Sequence, residues 1–219
     1  MLLNHAAVER LAETIKGLEG RDGKPLAGRL HHLRTLKFPS ERTKGRGSKT
    51  SMSVEDGLKV LYAIEMMDAG IPPAQAVAIL RSHWDLVSRL IAHAWARRTA
   101  PAKGRRAERR HLIIAPAVLA RDTEGENGAN ELVGALTTAE LGDALESGHK
   151  HVLVLDVEGF AARLAQSIEP ARAGTAKELE EEMKLLATEA FQTRNQELWR
   201  LDDNTGDAKK SERAKQAAS

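Results

Sequence analysis

The chain has no cysteine, which excludes disulfide frameworks and cysteine-based metal sites. A reducing compartment is compatible with that. Aromatic residues are scarce, with three Trp, three Phe and one Tyr. A single-strand binder that stacks bases needs aromatic platforms, so this scarcity argues against that class. Long apolar runs are missing as well. No stretch approaches the roughly 18 apolar residues of a membrane span, and no basic segment followed by an apolar one opens the chain. The expectation is a soluble cytoplasmic protein with no membrane partner.

What the chain does have is an uneven charge. A net charge of +2 over 219 residues hides two opposite halves. Residues 1–110 hold 21 Lys and Arg against 11 Asp and Glu, and residues 111–219 hold 12 against 20. A basic half joined to an acidic half points to a polyanion for one and a different task for the other. The length allows one large or two small domains.

Residues 25–80 are the most specific stretch. From Lys37 to Thr50 stand five basic residues, Lys37, Arg42, Lys44, Arg46 and Lys49, with one acid, Glu41. Gly45 and Gly47 interrupt them, and Phe38 is the only large apolar side chain. Such a piece builds no core, but it sits between two segments that can. A short apolar helix, a basic glycine-containing loop and a capped helix together have the pattern of a winged helix-turn-helix. Lys and Arg neutralise phosphates, and glycine lets a loop approach a strand closely. The same composition also suits a merely solvated loop.

In chain order, Asn4 is placed to cap a first helix, with Val8, Leu11, Ile15 and Leu18 as its apolar stripe and Gly17 and Gly20 as its stop. Pro25 suits the start of a second helix. Leu26, Leu30 and Leu33 form its buried side, Arg29, His32 and Arg34 face outward, and Pro39 ends it. That second helix is the one expected in a major groove. Ser53 to Asp56 resembles a capping box, and Gly70 is placed as the far cap of the third helix. From Pro72 a fourth helix carries Val77, Leu80, Trp84, Val87, Ile91 and Trp95 on one side and reaches Arg98 unless it breaks near Ser82 and His83. Its length suits a dimer contact, and its stripe equally suits completion of the N-terminal core.

Residues 97–110 carry seven basic residues and one acid. They read as a linker that is also a second candidate for phosphate contact. Beyond it, 111–120 reads as a strand in which Pro116 signals an edge or a bulge. Residues 131–136 fit strand or helix. Thr137 to Glu140 is a capping box, 151–155 is the clearest strand, and 157–168 is a helix with Phe160, Leu164 and Ile168 on one face. Thr175 caps a last helix to about Arg200, with Leu179, Met183, Leu186 and Ala190 as its stripe.

Residues 26–80 resemble the DNA-binding domain of the MerR family. The matching pieces are Leu36, Lys37, Phe38 and Pro39, the segment from Arg42 to Gly47, Ser53 to Asp56, and the helix end at Asp68 to Ile71. The resemblance covers about a quarter of the chain. It implies a winged helix-turn-helix that contacts DNA through helix and wing, a homodimer, and a role in transcriptional control. The chain departs from the family in having His31 and His32 where it has an aromatic pair. It also has a basic linker and an α+β part where the family has a short effector end.

Enzyme chemistry finds little support. The adjacent His31 and His32 point about 100° apart on a helix. His149 and His151 share a strand face only if both belong to the strand, and no third ligand follows from spacing. Asp156 and Glu158 follow the clearest strand, where catalytic carboxylates can lie, but no nucleophile, phosphate loop or acid–base pair accompanies them. Asp156 is more simply a helix cap. No cofactor, metal or catalytic residue is expected.

The expected fold is mainly α with a small α+β part. A winged helix-turn-helix and its following helix occupy 1–98, a basic linker 99–110, a small α+β domain 111–168, a C-terminal helix 169–201, and a disordered tail 202–219. The expected function is a sequence-specific, double-stranded DNA-binding transcriptional regulator of bacterial or phage type, homodimeric and nucleoid-associated. The expected DNA-binding residues are Arg29, His32, Arg34, Lys37, Arg42, Lys44, Arg46, Lys49, Arg105 and Arg106. The alternative is an architectural or partition-type adaptor with little sequence preference, recruiting a protein partner through 111–201.

Overall fold

Helix α1 (His5–Ile15) begins where Asn4 predicts, with the Asn4 side chain accepting from the Ala7 amide at 2.8 Å. Val8, Leu11 and Ile15 are buried along one side. Gly17, at φ +62, ends the helix as the residue for which a left-handed backbone costs least. The computed structural model describes residues 2–18, 24–39, 51–99, 109–114, 133–146 and 152–188. Over these the protein is mainly helical with two small antiparallel sheets.

Two strands of three residues, β1 (Leu2–Asn4) and β2 (Ser51–Ser53), pair antiparallel with Leu3 opposite Met52. Sequence reading expected neither strand. Both Leu3 and Met52 are buried. β1 also runs close over Gly57, where an added Cβ would lie 2.6 Å from Leu3 Cδ1.

Helix α2 (Lys24–Thr35) buries Leu26, Leu30 and Leu33 as expected. It stops before Pro39 acts. Lys37 takes φ +53, its amide donates to the Arg34 carbonyl, and the Phe38 amide donates to the Leu33 carbonyl. This is a Schellman end with a lysine at the position glycine usually holds. Buried Phe38 against Leu33 supplies its apolar contact.

Helix α3 (Val54–Asp68) is capped by Ser53, whose hydroxyl accepts from the Asp56 amide at 3.0 Å, and it closes at Gly70, φ +91. Helix α4 (Pro73–Thr99) runs through to the expected end but is kinked at His83, which holds φ −125 and ψ 21. All six residues of its apolar stripe are buried, packed on α3 and on elements of the second half. That stripe is covered within the chain and is therefore not free for a dimer contact.

The second half opens with β3 (Arg110–Ile114), followed by β4 (Val133–Thr137), α5 (Thr138–Glu146), β5 (Leu153–Leu155) and α6 (Val157–Ser167). The strand order is β4-β3-β5, all antiparallel. β3 is thus the central strand and not an edge, and Pro116 lies outside the described residues. β5 is shorter than expected, and His149 and His151 also lie outside. The ambiguous segment at 131–136 resolves to strand β4. Leu112, Ile114, Val133 and Leu155 face the core.

Asp156 caps α6 by accepting from the Gly159 amide at 3.1 Å. Phe160, Leu164 and Ile168 are buried as predicted. Helix α7 covers 176–188 of the described chain and buries Leu179 and Met183. Its expected course to Arg200, Ala190 and the tail from 202 lie outside.

One hydrophobic core joins the halves. α6 packs on α4 and α1, and the Phe160 ring meets the Tyr62 ring edge-on at 5.1 Å. The boundary expected at 99–110 separates the halves along the chain but not in packing.

Candidate nucleic-acid interface

The outer side of α2 carries the residues expected to enter a major groove. At about 100° per residue, Arg34 and His32 are about 160° apart around the helix and flank a shared face. Ala27, Gly28, His31 and Thr35 form its exposed centre. His32 and Arg34 are exposed, as expected. Arg29 is not free to join them. It turns to α3 and pairs with the Asp68 carboxylate. The reason is tertiary: Asp68 stands at the end of α3 beside α2, and also takes Lys16 at 2.6 Å. Arg29 thereby fastens α2 to its support.

Lys37 is exposed at the end of α2. The carbonyls of Leu36 and Lys37 accept from the Arg81 guanidinium at 3.2 and 3.3 Å, which ties this end to α4. Sequence reading missed Arg81, since nothing local pairs it with a helix 44 residues earlier. Among the described residues, His32, Arg34 and Lys37 make no ion pair. Arg42, Lys44, Arg46 and Lys49 lie outside the described residues, but both ends of their stretch are placed. It leaves from Phe38 and Pro39 and returns at β2, held against β1. Phe38, Pro39 and Met52 line one recess together with His5 and Arg34.

His5 is the second residue that sequence reading missed. It opens α1 next to Arg34. Partial burial of its ring lowers its pKa, the Arg34 charge lowers it further, and Glu9 opposes both.

The second basic stretch behaves differently. Glu158, in the first turn of α6, forms an ion pair with Arg97 at 3.0 Å and accepts a hydrogen bond from Arg109 Nε at 2.7 Å. The hydrogen bond that Arg109 donates to Glu158, together with the carboxylate's charge, holds the Arg109 guanidinium above its ordinary pKa. Burial lowers the pKa of nearby His93, with Arg110 and Arg97 adding to that and Glu158 opposing it. Arg105 and Arg106 lie outside the described residues.

Asp156 and Glu158 therefore serve as a helix cap and as an arginine anchor. A third carboxylate, Glu65, takes Lys16 at 2.6 Å and Arg163 at 3.0 Å, which links α1, α3 and α6. Tyr62 is buried, and burial pushes its hydroxyl well above the ordinary range. Among the described residues, no group of three or more His, Cys, Asp or Glu is arranged to hold a metal ion, and no helix is long and apolar enough to cross a membrane. Comparison of the chain with protein-family models, curated proteins and solved structures returns no match.

Proposed function

We propose that this chain is a sequence-specific, double-stranded DNA-binding transcriptional regulator that acts as a homodimer. Its N-terminal half is read as a winged helix-turn-helix, with α1 and α2 as the helix pair and the stretch 40–50 as the wing. One observation carries this reading. Arg34 on the exposed face of α2 and Lys37 just past its end make no ion pair among the described residues, and they lead directly into a basic stretch whose far end is anchored at β2. Unpaired cations are what phosphates require, because binding then displaces only small counterions. Ala27 and Gly28, at one end of that face, leave room for close approach to base edges.

The test is binding of the purified protein to random duplexes and to its own upstream DNA across a salt series. A preference of roughly a thousandfold for the upstream DNA is the expected result. Equal, steeply salt-dependent binding to both would favour the architectural adaptor instead. Changing Lys44 and Arg46 together to Ala should weaken binding on all sequences and flatten the salt slope by about two. Unchanged affinity and slope would remove the 40–50 stretch from the interface.

A further inference from the structure

A small recess opens at the start of α1. Its floor is apolar, built from Val8, Phe38, Pro39 and Met52, and His5 and Arg34 stand at it as the two polar side chains. Its volume is about 20 Å3, room for little more than one methylene or one water. It lies where α1, the end of α2 and β2 converge, beside the basic face of α2.

We propose that this recess is a backbone subsite for double-stranded DNA, in which His5 and Arg34 hold one phosphodiester and the apolar floor receives the edge of the adjoining deoxyribose. This deepens the DNA-binding reading above and rests on it. The chemistry of the two parts matches. A sugar–phosphate unit is an anion joined to a small apolar ring, and the recess is a polar rim, formed by the Arg34 cation and the His5 ring, beside a small apolar floor. A free inorganic anion would use only the rim.

The placement is consistent with helix-turn-helix docking, in which the first helix crosses the backbone while the second enters the groove. His5 and Arg34 come from these two different helices, so a phosphate between them would fix the angle at which α2 enters. Such a contact carries no sequence information and positions the protein. The free protein holds His5 toward its neutral form through burial and Arg34, with Glu9 the one acid opposing. A phosphate beside the ring reverses that balance. Protonation of His5 is then linked to binding, and affinity should rise as pH falls through the histidine range.

The experiment compares the full chain with His5→Ala and Arg34→Gln on a random duplex and on the upstream duplex, at several salt concentrations and between pH 5.5 and 7.5. Both side chains are exposed, and circular dichroism melts check that each variant folds. His5→Gln serves as a second His5 variant that keeps a hydrogen-bonding side chain. Each variant should lose several-fold affinity on both duplexes alike. Arg34→Gln should flatten the salt slope by about one. Both His5 variants should lose part of the pH dependence.

If the wild type binds duplex while the His5 variants keep its affinity and pH dependence, the subsite is overturned and the wider reading survives. A loss confined to the upstream duplex would also overturn it, because a backbone contact cannot discriminate sequence. If inorganic phosphate protects the His5 ring resonance as well as duplex does at equal ionic strength, the site is an anion site and the sugar contact is wrong. If the wild type binds no duplex, both readings fall together.

Discussion

Two regions of this molecule are basic in sequence, and their placed cations are held in opposite ways. His32 and Arg34 on α2 and Lys37 just past its end are exposed and make no ion pair among the described residues. Between α4 and β3, Arg97 and Arg109 converge on one carboxylate, Glu158, whose side chain is only 16% exposed. The first set is free to neutralise a polyanion. In the second, a phosphate would first have to displace a partly buried carboxylate. A run of Lys and Arg therefore does not by itself mark an interface. What decides it is whether the fold brings an acid to each base, and Glu158 is 61 residues from Arg97 along the chain.

The contrast is meaningful only if the two regions belong to one cooperative unit, and Phe160 tests that most strongly. Its ring is 1% exposed and meets Tyr62 from the other half of the chain. Phe160→Ala should cost about 3–5 kcal/mol, since it removes a large apolar side chain and leaves a cavity. Urea unfolding followed by Trp fluorescence and by circular dichroism should show one coincident transition at lower denaturant. Two separated transitions, with the N-terminal one unmoved, would mean that the halves fold as independent domains.

Glu158 addresses the comparison itself. Glu158→Gln leaves two guanidiniums without their carboxylate. An exposed pair is worth about 0–1 kcal/mol, and breaking a buried one costs about 3–5 kcal/mol. This partly exposed pair should fall between them, near 1–2 kcal/mol of stability. At the same time Arg97 and Arg109 become available, so random-duplex affinity should rise and its salt slope steepen. A stability loss with no change in slope would show that the junction is a brace whose arginines cannot reach a polyanion even when released.

Much of the fold was legible because its signals are local. Asn4, Ser53, Thr137 with Glu140, Asp156 and Thr175 are each legible as caps from a few neighbouring residues, and each makes the expected bond. The helical stripes depend only on spacing, and the break near Ser82 and His83 appears as a kink at His83. What was not legible depends on distant partners. β1 and β2 are three residues each and exist only because they pair across more than 45 residues of chain. Arg29 looked outward by helical position, yet Asp68 claims it. Pro39 looked like the stop of α2, yet Lys37 makes the turn, supported by buried Phe38. His5 showed no motif, and only the fold places it beside Arg34.

The smallest expected effect separates the halves by acidity. In the N-terminal half, α1 and α3 are capped by Asn4 and Ser53, whose capping groups do not titrate as carboxylates. In the C-terminal half, Glu140 accepts from the Thr137 amide at 2.8 Å and Glu178 accepts from the Thr175 amide at 2.9 Å. Those hydrogen bonds lower the pKa of both glutamates from the ordinary 4.5. A lowered folded-state pKa means that the unfolded chain takes up the proton first as pH falls. The capping contribution is therefore complete above the ordinary carboxylate range and is lost as pH falls through the lowered value. Amide exchange should report this residue by residue. Acidification below pH 4.5 should deprotect the Thr137 and Thr175 amides while those of Ala7 and Asp56 remain protected. Glu178→Gln should remove the acid response at Thr175 and leave it at Thr137. If the Ala7 and Asp56 amides open at the same pH as the other pair, the acid response is global unfolding through the shared core, and the difference between neutral and ionic caps has no separate consequence.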